Sequence, residues 1–122
     1  MNMMSEPNRP ATATLLWDGD CGFCKSWIER WRKTTGGAVE YRPYQEALAE
    51  FPQVSEAACQ RAVQLIAPDG QVYSGAHAVF RALAAAGRCR RVLALYEGAP
   101  PFRWLADAAY RFVAANRNWL PQ

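Results

Sequence analysis

The stretch Leu15 to Lys33, LLWDGDCGFCKSWIERWRK, constrains the fold more than any other part of the chain. Leu15-Leu16-Trp17 reads as the end of a strand, Asp18-Gly19-Asp20 as a tight loop, and Cys21-Gly22-Phe23-Cys24 as the entry to a helix. The nearly continuous apolar run from Thr12 to Trp17 predicts a central strand buried on both faces by helices. A strand feeding a helix through a short loop, with two thiols at the junction, points to an α/β layer architecture.

The thiol spacing has a chemical meaning. Positions three apart in the first turn of a helix share a face, so Cys21 and Cys24 can approach closely enough to bridge. Cys21 also falls where backbone N–H groups lack intrahelical partners and the helix dipole is positive, which favours a thiolate over a thiol. The expected roles are Cys21 as the attacking thiolate and Cys24 as the resolving thiol. Asp18 and Asp20 oppose a thiolate electrostatically, whereas Lys25 favours it. Two roles stand open for Asp18: it takes the proton of Cys24 during resolution, or it only accepts loop N–H bonds. Gly19, Asp20, Gly22 and Phe23 are expected to shape the loop or contact substrate.

Pairs of this kind also bind zinc or clusters, and some only pack. Zinc commonly takes two such pairs, or one pair with two histidines. The chain has one pair, a single histidine, His77, and two isolated cysteines, Cys59 and Cys89. Redox exchange is therefore the first reading. The alternatives are a metal- or cluster-binding module and a non-catalytic partner-binding domain.

Downstream, the first helix is expected from about Cys21 to Thr34, with Cys24, Trp27, Ile28 and Trp31 on its apolar stripe and both tryptophans as core anchors. Thr35-Gly36-Gly37 stops it, and Val39 to Arg42 returns as a strand parallel to the first. Short helical pieces are expected over Gln45–Phe51 and from Ser55 to Cys59, with Cys59 as a packed residue. Val63–Ala67, the turn Pro68-Asp69-Gly70-Gln71 and Val72-Tyr73-Ser74 predict an antiparallel hairpin. Gly75 opens a helix over Ala76–Ala86 with Ala76, Val79, Phe80 and Leu83 on its stripe, and His77 falls off it. The order β-α-β-α-β-β-α is thioredoxin-like: a four-stranded mixed sheet flanked by helices.

Residues 88–122 extend beyond that unit as a C-terminal helical extension. Arg88–Tyr96 is expected to place Cys89, Val92, Leu93 and Tyr96 on one face, and a last helix, Phe102–Asn116, to present Phe102, Leu105, Ala109, Phe112, Val113 and Asn116 as a cover. A second possibility is that Trp104, Tyr110 and Trp119 help wall a groove near the thiols or contact a partner.

Composition sets the outer limits. A chain of 122 residues, 51% of them apolar, supports one domain with one core, here residues 12–122 behind a loose tail of residues 1–11. Net charge is only +3, and the one dense basic cluster, Arg88, Arg90 and Arg91, has no aromatic ladder, so no nucleic-acid partner is expected. No apolar run is long enough to span a bilayer, and Met1–Pro10 lacks a signal-peptide core. No membrane association is expected, and the expected compartment is the cytoplasm.

DGDCGFC after an apolar strand resembles the signature of the DCC family, named for an Asp-x-x-Cys-x-x-Cys motif and described as thiol-disulfide oxidoreductase-like. The three named positions are Asp18, Cys21 and Cys24. The resemblance continues through QLIAPDGQVYSGAHAVFRAL, Gln64–Leu83, and through YRFVAANRNWL near the C-terminus. It implies a thioredoxin-like fold and thiol-disulfide exchange with no organic cofactor. The implied partners are a disulfide-containing substrate, protein or small thiol, and a thiol reductant. One departure stands out. Thioredoxin-like enzymes place a cis-proline just before the third strand, where its neighbour's backbone holds a substrate peptide. Gln60-Arg61-Ala62 has no proline. Substrate binding is therefore expected to differ from that of thioredoxin.

Overall fold

Ala13–Trp17 form β1, and all five residues are buried. The computed structural model, which describes residues 8–115, places this strand inside a four-stranded sheet of order β2-β1-β3-β4, where β2 is Val39–Pro43, β3 Gln64–Ile66 and β4 Val72–Ser74. β2 runs parallel to β1, with Trp17 opposite Pro43. β3 is antiparallel to both β1 and β4. The β3–β4 turn closes as its sequence demands: the Gly70 N–H donates to the Ala67 carbonyl at 2.8 Å, and the Gln71 N–H donates to the Asp69 carboxylate at 3.0 Å.

Alternation along the strands builds two cores. Leu15, Trp17, Tyr41 and Leu65 face one side, against Ile28 of α1 (Gly22–Thr35) and Ala78 and Ala82 of α4 (Gly75–Ala85). Leu16 and Ile66 face the other, against Tyr44 and Ala47 of α2 (Tyr44–Ala47), Phe51, Val54, and Cys59 of α3 (Glu56–Arg61). Leu15 and Leu16 are fully buried on opposite faces, each contributing about 1.5–3 kcal/mol. This is the thioredoxin-like arrangement.

Segment ends follow local chemistry. Ser55 caps α3 by accepting the Ala58 N–H at 3.1 Å. Gly87, at φ +79°, ends α4, and the Arg88 and Gly87 N–H groups return to the Leu83 and Ala84 carbonyls at 2.8 and 2.9 Å. That reversal delays α5 to Arg90–Gly98, so Cys89 stands outside the helix at φ 55°, exposed. The expected apolar face containing Cys89 is thereby corrected.

Two further helix faces differ from expectation. In α4 the residues buried against the sheet are Gly75, Ala76, Ala78 and Ala82. Small side chains let the helix lie close, and the bulkier Val79 and Phe80 are displaced to its flank, half-buried. In α6 (Pro100–Ala115) the half-buried side is Phe102, Arg103, Ala106, Asp107, Tyr110 and Ala114, while Leu105 and Phe112 are about two-thirds exposed. What orients this helix is polar: the Tyr96 hydroxyl donates to the Asp107 carboxylate at 2.6 Å, and the Tyr110 hydroxyl accepts the Val63 N–H at 3.0 Å. Hydrophobic spacing alone misplaces such a face. Asn116 and Trp119 lie outside the described residues.

His77 lies off the buried row, as expected. It meets the Glu97 carboxylate at 2.7 Å, which Arg81 also reaches at 2.6 Å, so α4 and α5 are clamped together. Of the expected N-terminal tail, residues 1–7 lie outside the described residues. Asn8 is tied to the body by a bond from its Nδ2 to the Glu50 carbonyl at 2.8 Å and by Gln53 Nε2 donating to its carbonyl at 2.9 Å.

Candidate active site

The loop after β1 delivers Cys21 as the N-cap of α1, in an extended backbone conformation. Its Sγ accepts the backbone N–H of Cys24 at 3.1 Å, occupying the position a serine or aspartate oxygen holds in an ordinary cap. The Cys21 carbonyl accepts the Lys25 N–H at 3.0 Å, the first bond of the helix. A capping sulfur binds its N–H donor more strongly as an anion, and the first turn of α1 holds no acidic residue, although Asp20 directly precedes the sulfur and opposes that charge. Cys21 and Cys24 are half-buried, and neither is in a disulfide.

Asp18 and Asp20 act with a residue the sequence reading missed. Gln45, just after β2, donates from Nε2 to Asp18 Oδ1 at 2.9 Å and to Asp20 Oδ2 at 3.4 Å, while its Oε1 accepts the Gly19 N–H at 3.0 Å. Asp18 Oδ1 also accepts the Asp20 N–H at 3.0 Å, and the Asp18 carbonyl accepts the Cys21 N–H at 3.2 Å. The loop-holding role of Asp18 is thus present in the geometry. Space around Gly19 is tight: a Cβ there would lie 3.0 Å from Pro43 Cβ and 3.2 Å from Gln45 Oε1, so a larger residue would press on both neighbours. A signal for Gln45 did exist. Parallel pairing of Trp17 with Pro43 sets the residues just after each strand side by side.

Beside the loop lies a cavity of about 360 Å³, bordered by Asp18, Phe23, Cys24, Trp27, Trp31 and Arg61, with Ala62 and Val63 just before β3 and residues of α4 and α6 completing its wall. Trp27 is 38% exposed, so it walls the cavity rather than anchoring the core as expected; Trp31 is half-buried and packs against it. Phe23 packs edge-on against Trp27, with ring centroids 6.1 Å apart. Of the three aromatics considered for such a groove, Tyr110 lines it, and Trp104 is 71% exposed outside it. Gly22 is exposed at the first position of α1.

The other thiols are differently placed. Cys59 is buried beneath the second core and borders the cavity, and burial, reinforced by Glu56, pushes its thiol up to about 11. Among the described residues no group of three histidine, cysteine or carboxylate side chains is arranged to hold a metal ion.

A family model for DCC1-like thiol-disulfide oxidoreductase matches residues 15–122. The chain belongs to this family. No curated protein and no solved structure matches it. The matched span begins at Leu15 and takes in the cysteine pair, the sheet and the helices that border the cavity. Thiol-disulfide oxidoreduction is the activity that this membership carries. Among the described residues no helix is long and apolar enough to cross a membrane.

Proposed function

We propose that Cys21 and Cys24 are the dithiol of an exchange reaction in which Cys21 is the nucleophile. The observation that carries this reading is the bond from the Cys24 N–H to Cys21 Sγ, which stabilises negative charge on the outer sulfur at the head of α1. The Cys21 thiolate attacks a substrate disulfide, one substrate sulfur departs as a thiolate, and a mixed disulfide remains on Cys21. Cys24 then loses its proton and attacks the Cys21 sulfur. The second substrate thiolate leaves, and two electrons have passed from the protein to the substrate. A thiol reductant restores the dithiol.

Asp18 borders the same cavity as Cys24 and is the nearby carboxylate available to receive the Cys24 proton. Among the described residues, its side-chain hydrogen bonds fall on Oδ1. The test is a trapping experiment. Cys24→Ser should accumulate a mixed disulfide at Cys21, visible by mass spectrometry and removable with excess thiol, while Cys21→Ser should form none. Equal trapping in the two variants would overturn the assignment. Asp18→Asn should slow resolution of a preformed mixed disulfide; resolution at the wild-type rate would leave Asp18 with the loop alone.

A further inference from the structure

The cavity meets the resolving sulfur and is apolar over nearly all of its wall. Its rings, from Phe23, Trp27, Trp31 and Tyr110, offer van der Waals contact and no polar pattern that would read a peptide main chain. At the entry to β3, where the thioredoxin-like fold offers backbone groups to a substrate peptide, the Val63 N–H is already bonded to the Tyr110 hydroxyl at 3.0 Å. Main-chain pairing at that point is closed off by the protein itself.

Charge narrows the ligand further. Among the described residues, Asp18 and Arg61 are the charged ones that line the cavity. The Asp18 carboxylate is engaged by Gln45 and by the Asp20 N–H. Arg61 is exposed at the end of α3, and among the described residues it makes no ion pair. A cation bordering an apolar cavity complements an amphipathic anion.

Resting on the exchange reading above, we propose that the substrate is a small organic disulfide whose arm is apolar and ends in a carboxylate. The arm lies in the cavity against Trp27 and Trp31, the carboxylate pairs with Arg61, and the disulfide is presented to Cys21. The reaction is balanced: the dithiol and one disulfide give the Cys21–Cys24 disulfide and two substrate thiols. A volume of about 360 Å³ accommodates one such arm.

Three symmetrical disulfides with matched alkyl leaving groups test this on the whole chain: those of mercaptoethanol, mercaptohexanol and mercaptohexanoate. The expected kcat/KM rises at least about tenfold from the first to the second, because methylenes leave water, and about twofold to fivefold more for the carboxylate. Arg61→Gln should erase the second step, and Val79→Trp, which fills the cavity, should bring the hexanol to ethanol ratio toward one. Octanoate, which has no sulfur, should quench tryptophan fluorescence saturably and inhibit competitively in the wild type, a readout that does not depend on the folding of any variant. Equal kcat/KM for the three disulfides, or absence of octanoate competition, would overturn the cavity proposal and leave the exchange reading standing. Turnover of none of the three, with Cys21 unmodified, would overturn both.

Discussion

The Tyr110 hydroxyl accepts the backbone N–H of Val63 at 3.0 Å, a bond between residues 47 apart in the chain. It joins the C-terminal helix to the entry of β3 and makes that helix part of the cavity rather than a cover laid over the sheet. Gly75 passes under the same ring: with φ at +60°, a Cβ there would lie 3.5 Å from the Tyr110 ring.

Tyr110→Phe keeps the ring and removes the acceptor. Val63 is buried, so its N–H loses its protein partner at a cost of about 1–2 kcal/mol, read as a lower urea midpoint with an unchanged slope. Hydrogen exchange at the Val63 amide should accelerate beyond that of neighbouring β3 amides. A variant as stable as the wild type, with Val63 equally protected, would show that the bond contributes nothing.

Gln45 bridges Gly19, Asp18 and Asp20, so it fixes the loop that delivers Cys21. Gln45→Ala should lower kcat/KM for disulfide reduction about tenfold or more while leaving the far-ultraviolet circular dichroism intact. Gln45→Glu should be worse, since it sets a third carboxylate against two others. Gly19→Ala should reproduce the loss, because its Cβ would press on Pro43.

The strand Leu15-Leu16-Trp17, the thiol junction and the Asp69-Gly70 turn were legible because each is local: period, turn chemistry and cap position are written within a few residues. Bonds between distant segments were not. Tyr110 and Val63, Tyr96 and Asp107, and Gln45 and Asp18 are set by how elements stack, and hydrophobic periodicity does not register a hydroxyl that turns a helix. Trp27 illustrates the same limit. Its spacing places it correctly on the stripe with Ile28, but spacing says nothing about whether the stripe meets a packed core or a cavity.

Three thiols of this chain supply their own controls. Cys89 is exposed and remote in sequence from the capping geometry, Cys21 caps a helix, and Cys59 is buried with its thiol pushed up to about 11. Iodoacetamide at neutral pH, with mass spectrometric localisation, should label Cys21 faster than Cys89. Cys59 should stay unlabelled even near pH 9, until denaturant exposes it. Cys21 labelling at neutral pH no faster than free cysteine would remove the thiolate from the mechanism.

The clamp between α4 and α5 predicts an acid dependence of stability. Hydrogen bonding from His77 is the largest influence holding the Glu97 carboxyl below the ordinary glutamate range; burial opposes it, and the hydrogen bond and charge of Arg81 reinforce it. A carboxyl depressed in the folded state binds its proton more readily when unfolded, so its stabilisation is full above the ordinary glutamate value of 4.5 and is lost as pH falls through the lower, folded value. The Glu97 side chain is 33% exposed, so solvent screening keeps the contribution under about 1 kcal/mol. Melting the wild type and Glu97→Gln from about pH 7 to pH 3 should therefore show a gap that is present above about pH 4.5 and closes as the pH falls below it. A gap of constant size would mean that Glu97 acts through its shape and neutral hydrogen bonds, with no share for its charge.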